Sequence, residues 1–153
     1  MAKRSSGISL KLDGFDDIIK QLNLAESQAD QHAKALLAQC AEIAESELIS
    51  EAQAKGVKQD IIDEVKTEIE GGHARYTAHV GWKLGDYDPR NPSKGYIAVF
   101  QNYGTVKRKT AKGKNRGALT AKNFIDDAHK SAKKKIKKLQ DAYYARMLGG
   151  LKK

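Results

Sequence analysis

Residues Tyr96–Thr105 read YIAVFQNYGT, and the reading of this stretch decides how the rest of the chain is arranged. Its apolar side chains Tyr96, Val99, Phe100 and Tyr103 fall at i, i+3, i+4 and i+7, the spacing of one helix face. Ser93 stands where an N-cap belongs, and Gly104 stands where a helix ending near Tyr103 needs a residue of positive φ. The chain is only 7% aromatic, so three rings on two turns concentrate its aromatic surface. The spacing therefore predicts a buried hub, with Thr105 just past the stop and Phe124 opening a later helix. Loss of a buried ring such as Tyr103 would cost ~3–5 kcal/mol. At Gly104, Asn is expected to be tolerated better than Val, because Asn enters the left-handed region more readily.

The order of features around this stretch carries a resemblance. A short helix ends in Tyr103-Gly104-Thr105, a polar loop follows, and Phe124 then opens a C-terminal helix with Ala128 four residues on. Upstream stand a short strand, Gly14 and a helix (ISLKLDGFDDIIKQL), then a long Ala-rich helix. Over roughly residues 7–132 this order resembles the tail-component family of long-tailed bacteriophages, small proteins of the neck and tail-completion region. Two positions depart from that pattern: Asn102 stands where the family often has an acidic residue, and Asn123 where it often has Pro. The resemblance implies a structural virion protein that completes the tail or joins head to tail. It also implies a homo-oligomeric connector ring, most often a hexamer, assembled in the host cytoplasm. Its neighbours would be neck, head-completion and tail proteins, with non-specific contact to packaged DNA.

At 153 residues and 16.8 kDa, the chain suits one domain, 1–153. It can bury about 70% of its unfolded surface without staples. A single cysteine rules out an internal disulfide, and Cys40 lies on a helical apolar stripe, where it reads as a small core residue. No apolar run approaches the ~20 residues that span a bilayer, so no membrane association is expected. MAKRSSG has positive charge but no apolar stretch behind it, unlike a secretory signal. These features lead us to expect a soluble protein made in a reducing compartment.

The net charge of +9 is unevenly spread. Residues 1–102 carry 12 Lys/Arg and 16 Asp/Glu, a net of −4, whereas residues 103–153 carry 16 and 3, a net of +13. Such polarity fits an anionic partner for the C-terminal third, or charge-complementary contact between subunits. Solvated lysines on a surface helix are the plainer alternative.

In chain order, Ser5–Leu12 alternates as a strand. A helix to about Leu22 follows, with Phe15, Ile18, Ile19 and Leu22 inward and Asp13 or Asp16 as cap. Leu24–Ala54 lacks Gly and Pro and predicts a helix ~45 Å long. Its stripe is Ala29, Ala33, Leu36, Leu37, Cys40, Ala44 and Leu48, part of it free for a neighbouring subunit. His32 at the stripe's edge reads as structural. Gln59–Glu70 is read as a short helix on Ile61, Ile62, Val65 and Ile69, stopped by Gly71-Gly72. His73–Lys83 is the clearest strand, with Ala74, Tyr76, Ala78, Val80 and Trp82 on one side, in a half-buried antiparallel sheet. Gly85–Gly95 is turn-rich. The basic loop 106–119 (VKRKTAKGKNRGAL) reads as a hairpin with Val106 and Leu119 at its ends. The basic C-terminal helix, 120–148, buries Phe124, Ala128, Ala132, Ile136, Leu139, Tyr143 and Met147.

The expected fold is thus α+β: a small antiparallel sheet packed against a long N-terminal helix, a short central helix and a basic C-terminal helix. Catalytic patterns do not emerge. There is no Gly-x-Ser-x-Gly turn, and Asp60, Asp63 and Glu64 read as a solvated face. Gly113–Gly117 lacks the flanks of a phosphate loop, and His73 and His79 lack further ligands. We expect no enzyme activity, no metal and no cofactor. The candidate contact residues are Lys107, Arg108, Lys109, Lys112, Lys114 and Arg116 in the loop, and Lys133, Lys134, Lys135, Lys137 and Lys138 in the last helix. Six loop cations could neutralise several phosphates, but no aromatic ring lies among them for base stacking. A small, non-sequence-specific nucleic-acid-binding protein is therefore the alternative function.

Overall fold

The alternation of Tyr76, Ala78, Val80 and Trp82 is realised in β3 (Arg75–Lys83), the centre of the sheet. The computed structural model describes residues 5–150; the ends of the expected 1–153 domain, including part of MAKRSSG, lie outside the described residues. β1 (Ser5–Lys11) and β2 (Lys66–Gly72) flank β3 on either side, both antiparallel, in the order β1-β3-β2. Register places Ile8 opposite Val80 and Leu10 opposite Ala78, so one face of the sheet is a continuous apolar surface.

That face is covered by two long helices, α2 (Glu26–Ala54) and α5 (Phe124–Gly149). They run antiparallel, as their cross-links show. His32 Nδ1 lies 2.9 Å from the Tyr143 hydroxyl, Lys135 pairs with Glu47, and Lys55 stands 3.5 Å from Asp127. Small residues let the backbones approach: Ala33 and Ala44 on α2 and Ala128 and Ala132 on α5 are all fully buried. Leu36, Leu37 and Leu48 fill the space between, each stabilising by about 1.5–3 kcal/mol through burial. Every residue of the expected α2 stripe is buried, Cys40 included, and burial pushes the Cys40 thiol up from its ordinary value. α1 (Phe15–Leu22) closes the far end with Phe15 and Ile18 inward; Gly14 in the left-handed region, not an aspartate, is its N-cap.

The sequence expectation of a helix over Gln59–Glu70 holds for one turn only. α3 spans Gln59–Ile62, and the chain then enters β2, whose Gly71-Gly72 continue the strand and do not stop a helix. The β-branched residues suit either state, and the free hydrogen-bonding edge of β3 settles the outcome. Thr67 faces α2 and donates to Glu45 over 2.6 Å. The β2–β3 turn is His73-Ala74, both at positive φ, as a two-residue hairpin of this twist requires. Asp30 of α2 fastens that turn, accepting from the Ala74 amide at 2.9 Å and from the Tyr76 hydroxyl at 2.7 Å.

The fold is therefore α+β, with the short α4 (Lys94–Tyr103) across the end of the sheet near β3. α5 begins at Phe124, four residues later than expected. Residues 120–123 are tied to the end of α4 by Lys122 N–H to Gln101 O and Asn123 N–H to Asn102 O, both 3.0 Å, and Asn123, in the left-handed region, is the N-cap.

Candidate interaction surface

α4 starts as its sequence indicates, with the Ser93 side chain accepting from the Tyr96 amide at 3.4 Å. It docks on a different face from the one its aromatic spacing implies. Gly95, Ala98 and Asn102, at i, i+3 and i+7, are buried; Tyr96, Val99 and Phe100 are only half-buried, and Tyr103 is 59% exposed. Close approach is the reason. A Cβ on Gly95 would stand 2.5 Å from the Lys83 carbonyl oxygen, so only the small face of the helix can meet the strand. The true centre is the pair Trp82 and Phe124, fully buried and edge to face at 5.9 Å, with Trp82 Nε1 donating to Ile61 O at 2.7 Å. Of the expected hub, Phe124 alone is fully buried.

Asn102 is the residue that sequence reasoning missed. It is fully buried, and its Oδ1 accepts from the Ile125 amide at 2.8 Å, satisfying one of the orphan donors at the start of α5. The one available signal was a polar residue at the i+7 position of the small face. Gly104 has φ 75° and ψ −176°, so the expected positive φ is present. Its ψ, however, lies outside the left-handed well on which the expected tolerance of Asn over Val rests. A Cβ would also fall 2.6 Å from Leu119 O.

Past Gly104 the chain forms the basic hairpin. Thr105 N–H donates to Leu119 O and Thr105 Oγ1 accepts from the Leu119 amide, each at 2.9 Å, so Thr105 rather than Val106 closes its base. Further up, Arg108 N–H reaches Gly117 O at 3.1 Å, Arg116 N–H reaches Arg108 O at 2.7 Å, and Lys109 bridges Asn115. Lys107, Arg108, Lys109, Lys112, Lys114 and Arg116 are exposed, and among the described residues none of them makes an ion pair.

The exposed face of α4 leads directly to this hairpin. Tyr87 packs edge-on against Tyr96 at 4.9 Å and Phe100 at 6.2 Å, and Tyr103 lies one turn further along. Val106, 82% exposed, and Leu119 continue the apolar strip to the base of the hairpin.

The lysines of α5 form a separate group, about 15–20 Å along the helix axis from Phe124. Lys135 pairs with Glu47 and Lys137 lies 3.7 Å from Asp141, while Lys133, Lys134 and Lys138 make no ion pair among the described residues. Lys133 and Lys137 line a groove of about 400 Å³ between β1 and α5, floored by Leu10, Ile136 and Tyr144. Burial pushes the Tyr144 phenol up to about 12, and its hydroxyl donates to Asp13 O at 2.8 Å. The structure does not bring the two cationic groups together.

The opposite charge collects elsewhere. Glu42, Glu45, Ser46, Ile49 and Gln53 of α2 line a shallow groove of about 490 Å³ beside the β2 edge. Among the described residues, no group of three or more His, Cys, Asp or Glu is placed to hold a metal ion, and no helix is long and apolar enough to cross a membrane. His73 pairs with Glu26, whose carboxylate raises the imidazole pKa. His79 takes a 3.0 Å hydrogen bond with Ser9, and burial lowers its pKa.

Fold and surface together define an α+β protein whose distinctive surface features are an exposed apolar strip, a cationic hairpin and an acidic groove. No protein family, no curated protein and no solved structure matches the chain.

Proposed function

We propose that this chain is a structural subunit of a bacteriophage neck, completing the tail or joining head to tail as a ring of identical copies. The observation that carries the reading is the apolar strip from Tyr87 to Val106 ending in a hairpin of six cations that make no ion pair among the described residues. Exposed apolar surface next to concentrated charge is characteristic of a binding face. Interface formation, not chemistry, is then the mechanism. The order of features around Tyr103-Gly104-Thr105 supplies the phage context. Within that step Gly104 turns the chain beside Leu119, and Thr105 closes the hairpin. In a sixfold neck ring the hairpin would meet neighbouring subunits or neck proteins, or the path of packaged DNA. Light scattering and negative-stain images of the purified protein test this. Closed rings are expected, and a monomer at every concentration would overturn the reading.

A second reading has its own observation. Among the described residues, the hairpin cations and Lys133, Lys134 and Lys138 are unpaired, and this suits phosphate contact by a non-sequence-specific nucleic-acid-binding protein. Filter binding of duplex DNA by the isolated subunit separates the two. Retention that falls steeply with salt, in a protein that stays monomeric, would favour nucleic acid over the neck.

A further inference from the structure

Five large apolar side chains are exposed among the described residues: Ile69, Tyr87, Tyr103, Val106 and Leu119. They sort into two patches. Tyr87, Tyr103, Val106 and Leu119 belong to the α4 strip beneath the cationic hairpin. Ile69 lies on β2, two residues along the same face from Thr67, whose hydroxyl reaches Glu45 at the α2 groove. That groove carries Glu42 and Glu45 around the half-buried Ile49. One patch is thus apolar and cationic, and the other apolar and acidic.

The two patches occupy different faces. The α4 strip stands at the end of the molecule where β3 finishes and α5 begins, as the contacts of Gly95 with Lys83 and of Asn102 with Ile125 fix. The acidic groove lies on α2 and adjoins β2 through the Glu45–Thr67 hydrogen bond, on the side of the helix away from Cys40 and Glu47, which meet α5. Complementary patches on different faces cannot satisfy each other within one chain. Nor do they make a two-fold contact, in which one patch must match itself.

We infer that the hairpin and α4 strip of one copy dock onto the shallow acidic groove on α2, beside β2, of the next copy. This inference rests on the ring reading and supplies its interface. Contact is heterologous, head to tail, so successive copies repeat one rotation, and a ring forms when that rotation closes. The apolar residues of both patches lose their exposure, and the hairpin cations gain the carboxylates they lack. Opposite charges across such a face steer encounter and fix register.

Charge exchange tests it. One variant carries Lys109→Glu, Lys112→Glu and Lys114→Glu; the other carries Glu42→Lys and Ser46→Lys, which leaves the Glu45–Thr67 bond intact. Each alone is expected to sediment as a monomer while melting like wild type, and an equal mixture should recover the wild-type mass. A variant that keeps the wild-type mass, or a mixture that stays monomeric, overturns this interface and leaves the ring standing. Wild type that is itself monomeric overturns the ring and the interface together. Should a variant fail to fold, carbodiimide coupling of the wild-type assembly reads the same contact. Amide links from hairpin lysines to Glu42 or Glu45 are expected, and an assembly without them overturns the inference.

Discussion

Asn102 shows how one side chain joins two elements. Its Oδ1 accepts the Ile125 amide, while its Nδ2 is buried without a partner among the described residues. Removing the amide should leave the Ile125 N–H unpaired at a site closed to water. We expect Asn102→Ala to destabilise the protein by about 1–3 kcal/mol, the cost of a buried donor left unsatisfied. Tyr103, one residue on, points away from the buried face and is 59% exposed. Tyr103→Ala should therefore change stability by no more than about 0.5 kcal/mol, against the large loss its helical spacing suggests. Urea titrations of the two variants check the pair, and a reversed order of effects would restore the aromatic face as the core.

At the scale of elements, the β2–β3 turn depends on α2. Hydrogen bonds from the Ala74 amide and then the Tyr76 hydroxyl hold the Asp30 carboxyl below its ordinary value of 3.8. Lys34 adds to this from 3.6 Å. A carboxyl with a depressed pKa in the folded state contributes stability above its unfolded pKa. That contribution is lost as pH falls through the lower, folded value. The expected outcome is a denaturation midpoint that drops below about pH 4, with a shallower acid limb in Asp30→Asn. Identical acid limbs in wild type and variant would place the pH dependence elsewhere. The positive φ of His73 and Ala74 makes this anchoring matter, because neither residue adopts that region readily without support.

At the scale of the whole molecule, charge is segregated more sharply than the net +9 conveys. The hairpin cations have no intramolecular ion-pair partners among the described residues, whereas Glu42 and Glu45 of α2 line the groove beside β2. Raising salt from about 0.1 M to about 1 M shortens the Debye length from about 10 to 3 Å. The assembled mass measured by light scattering should fall over that range while the melting curve of the subunit stays nearly unchanged. Mass that holds or rises with salt would assign the assembly to the apolar strip alone.

Local periodicity was enough to place β1, β3, α1 and the apolar stripes of α2 and α5. Each of these segments has one apolar face whose period matches its own backbone, so any partner that covers the face gives the same element. Residues 106–119 were also legible as a hairpin, since glycines and unbroken polarity leave little else, although its base closes one residue earlier, at Thr105. Two results depended on tertiary structure. Residues 66–72 carry β-branched side chains compatible with helix or strand, and they became a strand because β3 offers an unpaired edge. α4 has two faces that could be buried, and the aromatic one has the larger hydrophobic gain. The face of Gly95, Ala98 and Asn102 went inward because the Lys83 backbone leaves no room for a Cβ and the start of α5 needs an acceptor. Steric clearance and an orphan amide are properties of a neighbour far away in sequence, and no local pattern encodes them.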